Sequence, residues 1–314
     1  MNRVLVTGGA GFLGSHVCGL LLQSPENYVI ALDDLSTGST ENLASFAENE
    51  RFEFVRWDVQ KPFDRPVDQI YHAACPASPK AYQRSPTSTT KTCVLGTLNM
   101  LELAKKYDAK LLQFSTSEVY GNPLMHPQRE DYFGNANPVG VRACYDEGKR
   151  CAESLCFDYL REFGTKVKIV RIFNTYGPRM DVADGRVVSN FIVQALRGAP
   201  ITIHGDGGQT RSFCYVDDLV SGILRIMNHT DDGFHGPVNL GNPEEITVLD
   251  LARRILDKTG SASEIVYLPM PGDDPVQRRP DIALAGEKLH WKPEVSLDEG
   301  LEKTIRYFRE IIQP

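Results

Sequence analysis

The chain has 314 residues, 34 Lys and Arg against 41 Asp and Glu, 41% hydrophobic residues and seven cysteines. Such a length supports one large α/β unit or about two domains with a sizeable core, and a net charge of −7 spread without a basic run argues against nucleic acid or an anionic membrane as partner. The scattered cysteines contain no C-x-x-C pair, the histidines show no metal-ligand spacing, and no apolar run approaches the ~18 residues of a membrane helix, so a cytoplasmic protein without metal or disulfide framework is expected.

In chain order, a short apolar run at 4–7 leads straight into Thr7-Gly8-Gly9-Ala10-Gly11-Phe12-Leu13-Gly14. Between a strand and a helix, Gly8, Gly11 and Gly14 permit a tight turn. That turn brings the backbone N–H groups around Phe12 and Leu13 close to a pyrophosphate. The next strand, 28–32, runs into Asp33, at about the 20-residue spacing of an acid that accepts ribose hydroxyls and repels a 2′-phosphate. NAD is therefore expected rather than NADP. Asp58 closes the third strand, 52–57, either as a contact for the adenine edge or as a solvated strand-end aspartate. Further strands are predicted at 69–72, 110–115 and 167–173, with helices after Gly11, over 86–107 and over 143–163. This alternation is that of βαβ units in a parallel sheet covered by helices on both faces.

Beyond about Asn174, Gly177-Pro178, Gly205-Asp206-Gly207-Gly208 and Gly241-Asn242-Pro243 break the chain into shorter elements. The pattern predicts an α/β, Rossmann-type, doubly wound sheet over 1–174, completed by part of 213–245, and a smaller loop-rich substrate domain made mainly by 175–314. Helices are predicted at 248–259, capped by Thr247 and Asp250 and closed by Gly260, and at 297–312.

Among 12 tyrosines, Tyr145 alone has a lysine four positions later, Lys149, which puts both side chains on one helical face. A neighbouring ammonium and a nicotinamide cation both favour phenolate, which could take a proton from a substrate hydroxyl while hydride leaves the same carbon. Arg179, Arg186, Arg211 and Arg278 lie in the loop-rich part. A planar guanidinium suits a phosphate or carboxylate, although each of the four could equally be a surface ion pair.

Thr7 to Gly14, Ser115-Thr-Ser-Glu-Val-Tyr-Gly121 and Tyr145-x-x-x-Lys149 resemble the extended short-chain dehydrogenase/reductases that modify nucleotide sugars. Cys75-Pro-Ala-Ser-Pro79, Arg171-Ile-Phe-Asn-Thr-Tyr-Gly-Pro-Arg179, Gly208-Gln-Thr-Arg-Ser-Phe213 and Asp273-Asp-Pro275 with Arg278 are closer still to the branch that decarboxylates UDP-glucuronate. The resemblance implies oxidation at C4 of the sugar, loss of CO2 and return of the hydride. Related 4,6-dehydratases carry Asp-Glu after the threonine. Here Thr116 is followed by Ser117 and Glu118, so the acid that expels a C6 hydroxyl is missing. By the same resemblance Thr116 bonds the C4 oxygen, Glu118 orients the ring or its water unless it is merely a salt-bridged carboxylate, Arg211 binds diphosphate, and Arg278, or Arg279 beside it, meets the sugar carboxylate. Lys91, Asn99, Asn174 and Asn190 are implied for the diphosphate and sugar, and Tyr215 for the uridine. A homodimer through a four-helix bundle of 86–107 and 143–163 is also implied, unless their apolar stripes are internal core. Still open are release of the 4-keto-pentose, a 4-epimerase or a 4,6-dehydratase of the same family, and a dinucleotide sensor without chemistry.

Overall fold

Runs of aliphatic residues buried on both faces build the central sheet, as parallel strands require. A computed structural model describes residues 1–231, 233–269 and 277–312. Asp273, Asp274 and Pro275 lie outside them. β1 (Asn2–Thr7), β2 (Asn27–Asp33), β3 (Phe52–Arg56), β4 (Gln69–His72), β5 (Lys110–Thr116), β6 (Val167–Ile172) and a strand at Val238–Leu240 form seven parallel strands. Their order is Val238–Leu240, β6, β5, β4, β1, β2, β3. The doubly wound fold expected from the sequence is therefore present.

Alternate strand residues serve opposite layers. Val4, Val6, Val29 and Ala31 pack beneath Phe12–Leu21 and Val216–Met227, whereas Leu5, Ile30, Leu32 and Ile70 pack beneath Thr97–Tyr107 and Ala143–Phe163. The first apolar cluster runs on through Phe191, Ile255, Trp291 and Phe308. It thus ties the sheet to the region holding the paired strands Ile201–His204 with Ile265–Leu268 and Thr210–Ser212 with Glu245–Thr247. Strand order reverses between β1 and β4, which opens a crevice at their carboxyl ends, the usual ligand position in such sheets. Across that switch point Thr7 Oγ1 and His72 Nδ1 lie 2.7 Å apart.

Among the departures from the sequence reading, two concern helices that cover the sheet. The helix expected over 86–107 is Pro86–Lys91, a π turn at Thr92–Gly96, then Thr97–Tyr107. The π turn falls where the neighbours close in: a Cβ on Gly148 would lie 2.9 Å from Cys93 Cβ, and one on Gly96 2.9 Å from Val59. The helix Val216–Met227 went unpredicted, although Val216, Leu219, Val220, Ile223, Ile226 and Met227 recur at helical spacing and are buried.

Candidate active site

A cavity of about 790 Å³ opens at the switch point, within the range of small-molecule sites. One part of its wall is the first turn, with Gly8, Gly11, Phe12, Leu13, Gly14 and Asp33. The helix Phe12–Leu21 starts at Gly11 without a side-chain cap and without an acidic residue in its first turn, so its N-terminal dipole meets no negative side chain there. A Cβ on Gly14 would sit 2.0 Å from the Gly8 carbonyl oxygen, and one on Gly8, at φ +69°, 2.9 Å from Ala74 N. Only glycine leaves this cradle open. Asp33 is buried and accepts from the N–H groups of Ala10 at 3.0 Å and Leu35 at 2.8 Å. Burial raises its pKa while those N–H groups oppose the rise. A cradle of donors beside a buried carboxylate fits NAD and disfavours an added 2′-phosphate.

Thr116, Ser117, Glu118, Tyr145 and Lys149 also line the cavity. Thr116 ends β5 and Ser117–Tyr120 is a single 3-10 turn, started by the Glu118 N–H donating to Thr116 Oγ1 at 3.2 Å. Tyr145 and Lys149 face inward from one helix, where Tyr145 stacks on Tyr82 with centroids 5.0 Å apart and pairs with the Thr116 hydroxyl. Lys149 Nζ donates to the Phe114 carbonyl at 2.8 Å and lies 5.9 Å from the Tyr145 ring centroid. In the chain alone, burial pushes the Tyr145 phenol well up, Cys75 adds to this, and the Thr116 bond pulls the other way. The spacing argument had credited Lys149 with favouring phenolate; desolvation is the larger effect.

Glu118 is the most constrained group of the site. Arg278 holds both its oxygens, Nη1 to Oε1 at 2.5 Å and Nη2 to Oε2 at 2.7 Å, and Arg142 adds Nη2 to Oε2 at 2.5 Å. Burial raises the Glu118 pKa, but Arg278 and then Arg142 outweigh it, and the carboxyl is held below its usual range. Glu118 is thus a salt-bridged carboxylate inside the site, which merges two readings the sequence had kept apart. Arg278 rather than Arg279 faces the cavity; Arg279 turns to Glu245 at 3.5 Å. Arg142 was missed, although its place three residues before Tyr145 puts it on the same helical face by the rule that linked Tyr145 to Lys149.

Asn174, Arg179, Arg186, Asn190 and Arg211 reach the cavity as well. The three guanidiniums are engaged. Arg186 forks onto Asp184 at 2.6 and 3.0 Å, Arg179 donates to the Ser15 carbonyl at 3.0 Å with its guanidinium 5.3 Å from the Phe46 ring, and Arg211 donates to the Thr210 carbonyl at 2.8 Å. Asp58, Lys91, Asn99 and Tyr215 do not line it. Asp58 accepts the Gln60 N–H in a turn, Lys91 is exposed at its helix end, and Asn99 donates to the Val59 carbonyl at 2.8 Å. Tyr215 is buried edge-on against Tyr176 at 5.7 Å.

The model of the NAD dependent epimerase/dehydratase family matches residues 4–241. The chain belongs to that family. It is 54% identical to UDP-glucuronic acid decarboxylase 5 of Arabidopsis thaliana, over 98% of this chain and 89% of that one. Among solved structures it is similar to UDP-glucose 4-epimerase from Thermotoga maritima, with a TM-score of 0.89 and 33% identity over 99% of this chain and 100% of that one. UDP-glucuronic acid 4-epimerase from Bacillus cereus, in complex with UDP-glucuronic acid and NAD, gives a TM-score of 0.90 and 30% identity over 98% and 99%. No described helix is long and apolar enough to cross a membrane.

Proposed function

We propose that this protein converts UDP-glucuronate to UDP-xylose by oxidation at C4, loss of the C6 carboxylate as CO2 and reduction of the 4-ketopentose. The reading is carried by Arg278 beside Ser117. Its fork already fits one carboxylate, and a carboxylate at C6 is what distinguishes this substrate from a neutral hexose. A C4 ketone makes that carboxylate a β-keto acid, so CO2 leaves as the electrons of the C5–C6 bond flow into the ketone, and the enolate is protonated at C5 by a water that Glu118 orients, which gives the 4-ketopentose. No acid is needed to expel a C6 hydroxyl, and Ser117 supplies none.

In this scheme Tyr145 takes the proton of the C4 hydroxyl and Thr116 hydrogen-bonds the same oxygen. Lys149, one turn further along the same helix and fixed by the Phe114 carbonyl, places a positive charge 5.9 Å from the Tyr145 ring centroid, and a nearby cation favours phenolate. NAD bound at the Gly8 to Gly14 turn, with Asp33 toward its ribose, supplies hydride acceptance and return at C4. Asn174, Asn190, Arg186 and Arg211 are assigned to the UDP portion; Asn99 acts through the Val59 carbonyl it holds. A homodimer through helices 86–107 and 143–163 belongs to the same proposal.

The test is direct. Purified protein given UDP-glucuronate and a catalytic amount of NAD should release CO2 and yield UDP-xylose by NMR. A hexose product would instead favour a 4-epimerase, the activity in the name of the Bacillus cereus neighbour, and overturn the proposal. Accumulation of UDP-4-keto-pentose with NADH would remove its last step.

A further inference from the structure

We infer that Arg142 is a positioning residue, which keeps Glu118 ionised and in place when Arg278 turns from Glu118 to the carboxylate of the substrate. The inference rests on the decarboxylase reading. In the chain alone, both oxygens of Glu118 are held by the paired Nη1 and Nη2 donors of Arg278, at 2.5 and 2.7 Å. That edge offers a carboxylate two parallel charge-assisted bonds. To grip a second carboxylate in the same way, Arg278 has to release Glu118. A buried carboxylate that loses its partner rises in pKa and takes up a proton. Glu118 would then change from acceptor to donor beside the reacting carbons.

Arg142 prevents this because its hold is independent of Arg278. It approaches Oε2 at 2.5 Å from the residue just before Ala143–Phe163, the helix whose Lys149 is anchored to the Phe114 carbonyl at 2.8 Å. The remaining groups around Glu118 do not replace it. Asp146, on the same helix, is a carboxyl whose pKa burial raises to about 7, Tyr145 and Tyr82 are phenols, and none of the three supplies a cation; Thr116 only accepts from the Glu118 N–H. With Arg278 withdrawn, Arg142 is the guanidinium that still holds Glu118.

Infrared difference spectra against Glu118→Gln isolate the Glu118 carboxyl, and its titration is compared in Arg278→Gln and in Arg278→Gln/Arg142→Gln. Arg278→Gln mimics the withdrawn arginine. Glu118 should stay ionised at about pH 6 in that variant and be protonated there in the double variant; coincident titrations overturn the inference. Because this readout needs no turnover, it stands or falls separately from CO2 release by the wild type, which decides the decarboxylase reading. In turnover, Arg142→Gln should lose about 10- to 100-fold in kcat, with KM for UDP-glucuronate changed less than about threefold. The loss should grow toward acid pH. Arg142→Lys keeps the charge without the fork and should restore the acid limb. A loss equal at every pH in both variants would mean that Arg142 only supports the fold.

Discussion

Asp146 and Glu118 are neighbours whose surroundings push them in opposite directions. Two guanidiniums hold Glu118 down, whereas burial, and next the Glu118 charge, raise Asp146 to about 7 against the opposing pull of Arg142 and Arg278. Asp146 Oδ1 is buried without a hydrogen-bond partner. A carboxyl whose folded pKa is raised binds its proton more tightly in the native state, so its ionisation destabilises the fold as pH climbs from about 4 to about 7. At 1.36 kcal/mol per unit, a rise of about three units bounds the penalty near 4 kcal/mol above pH 7. Asp146→Asn removes it. Its melting temperature should exceed the wild type by on the order of 5 °C at pH 8 and match it near pH 4; a gap independent of pH would show that Asn acts through packing instead.

At the scale of elements, local chemistry was legible and distant pairing was not. The first strand, its glycine turn and the helix after it could be read because each requirement lies within a few residues, and the clash of a Cβ on Gly14 with the Gly8 carbonyl shows how tightly the turn is specified. Gly14→Ala should cost about 3 kcal/mol, since backbone meets backbone and no side chain can give way, and should abolish NAD binding measured by fluorescence quenching. Gly164→Ala is the control. Gly164 also has positive φ, +68°, but open space around it, so its substitution should cost about 1–2 kcal/mol in thermal unfolding and leave NAD binding intact. Equal effects on NAD binding would refute the role of the cradle. The anion clamps were harder to read, because the partners of the arginines are set by tertiary structure: Ser15 for Arg179, Glu118 for Arg278. Lys91 and Asn99, implied by resemblance alone, stand on either side of the π turn at Thr92–Gly96, and neither lines the cavity. The turn inserts a residue, so the helix that carries Asn99 is rotated by about 100° relative to the one that ends at Lys91.

Across the whole molecule, the net charge of −7 conceals a cavity in which Arg186 and Arg278 are already paired with Asp184 and Glu118, so an anion that takes either guanidinium displaces a carboxylate of the chain. The same helices that present Tyr145 inward leave apolar residues outward. Leu95 is 39% exposed in the π turn, and Val94, Leu98 and Leu155 are half-buried around it. Pairing of two such faces would bury these residues and brace the helix that holds Arg142, Tyr145 and Lys149, which gives the proposed dimer a bearing on the site. A stable pair needs about 1,200 Å² or more of buried surface, which two helices per subunit can supply. Light scattering should therefore read twice the 35.0 kDa chain mass for the wild type and a single 35.0 kDa chain for Leu95→Glu, because an unpaired carboxylate cannot be buried at the centre of an apolar face. A wild type of one chain mass would refute the dimer and leave the apolar stripes of both helices to the core of a single chain, and a Leu95→Glu variant that stays paired would place the contact elsewhere.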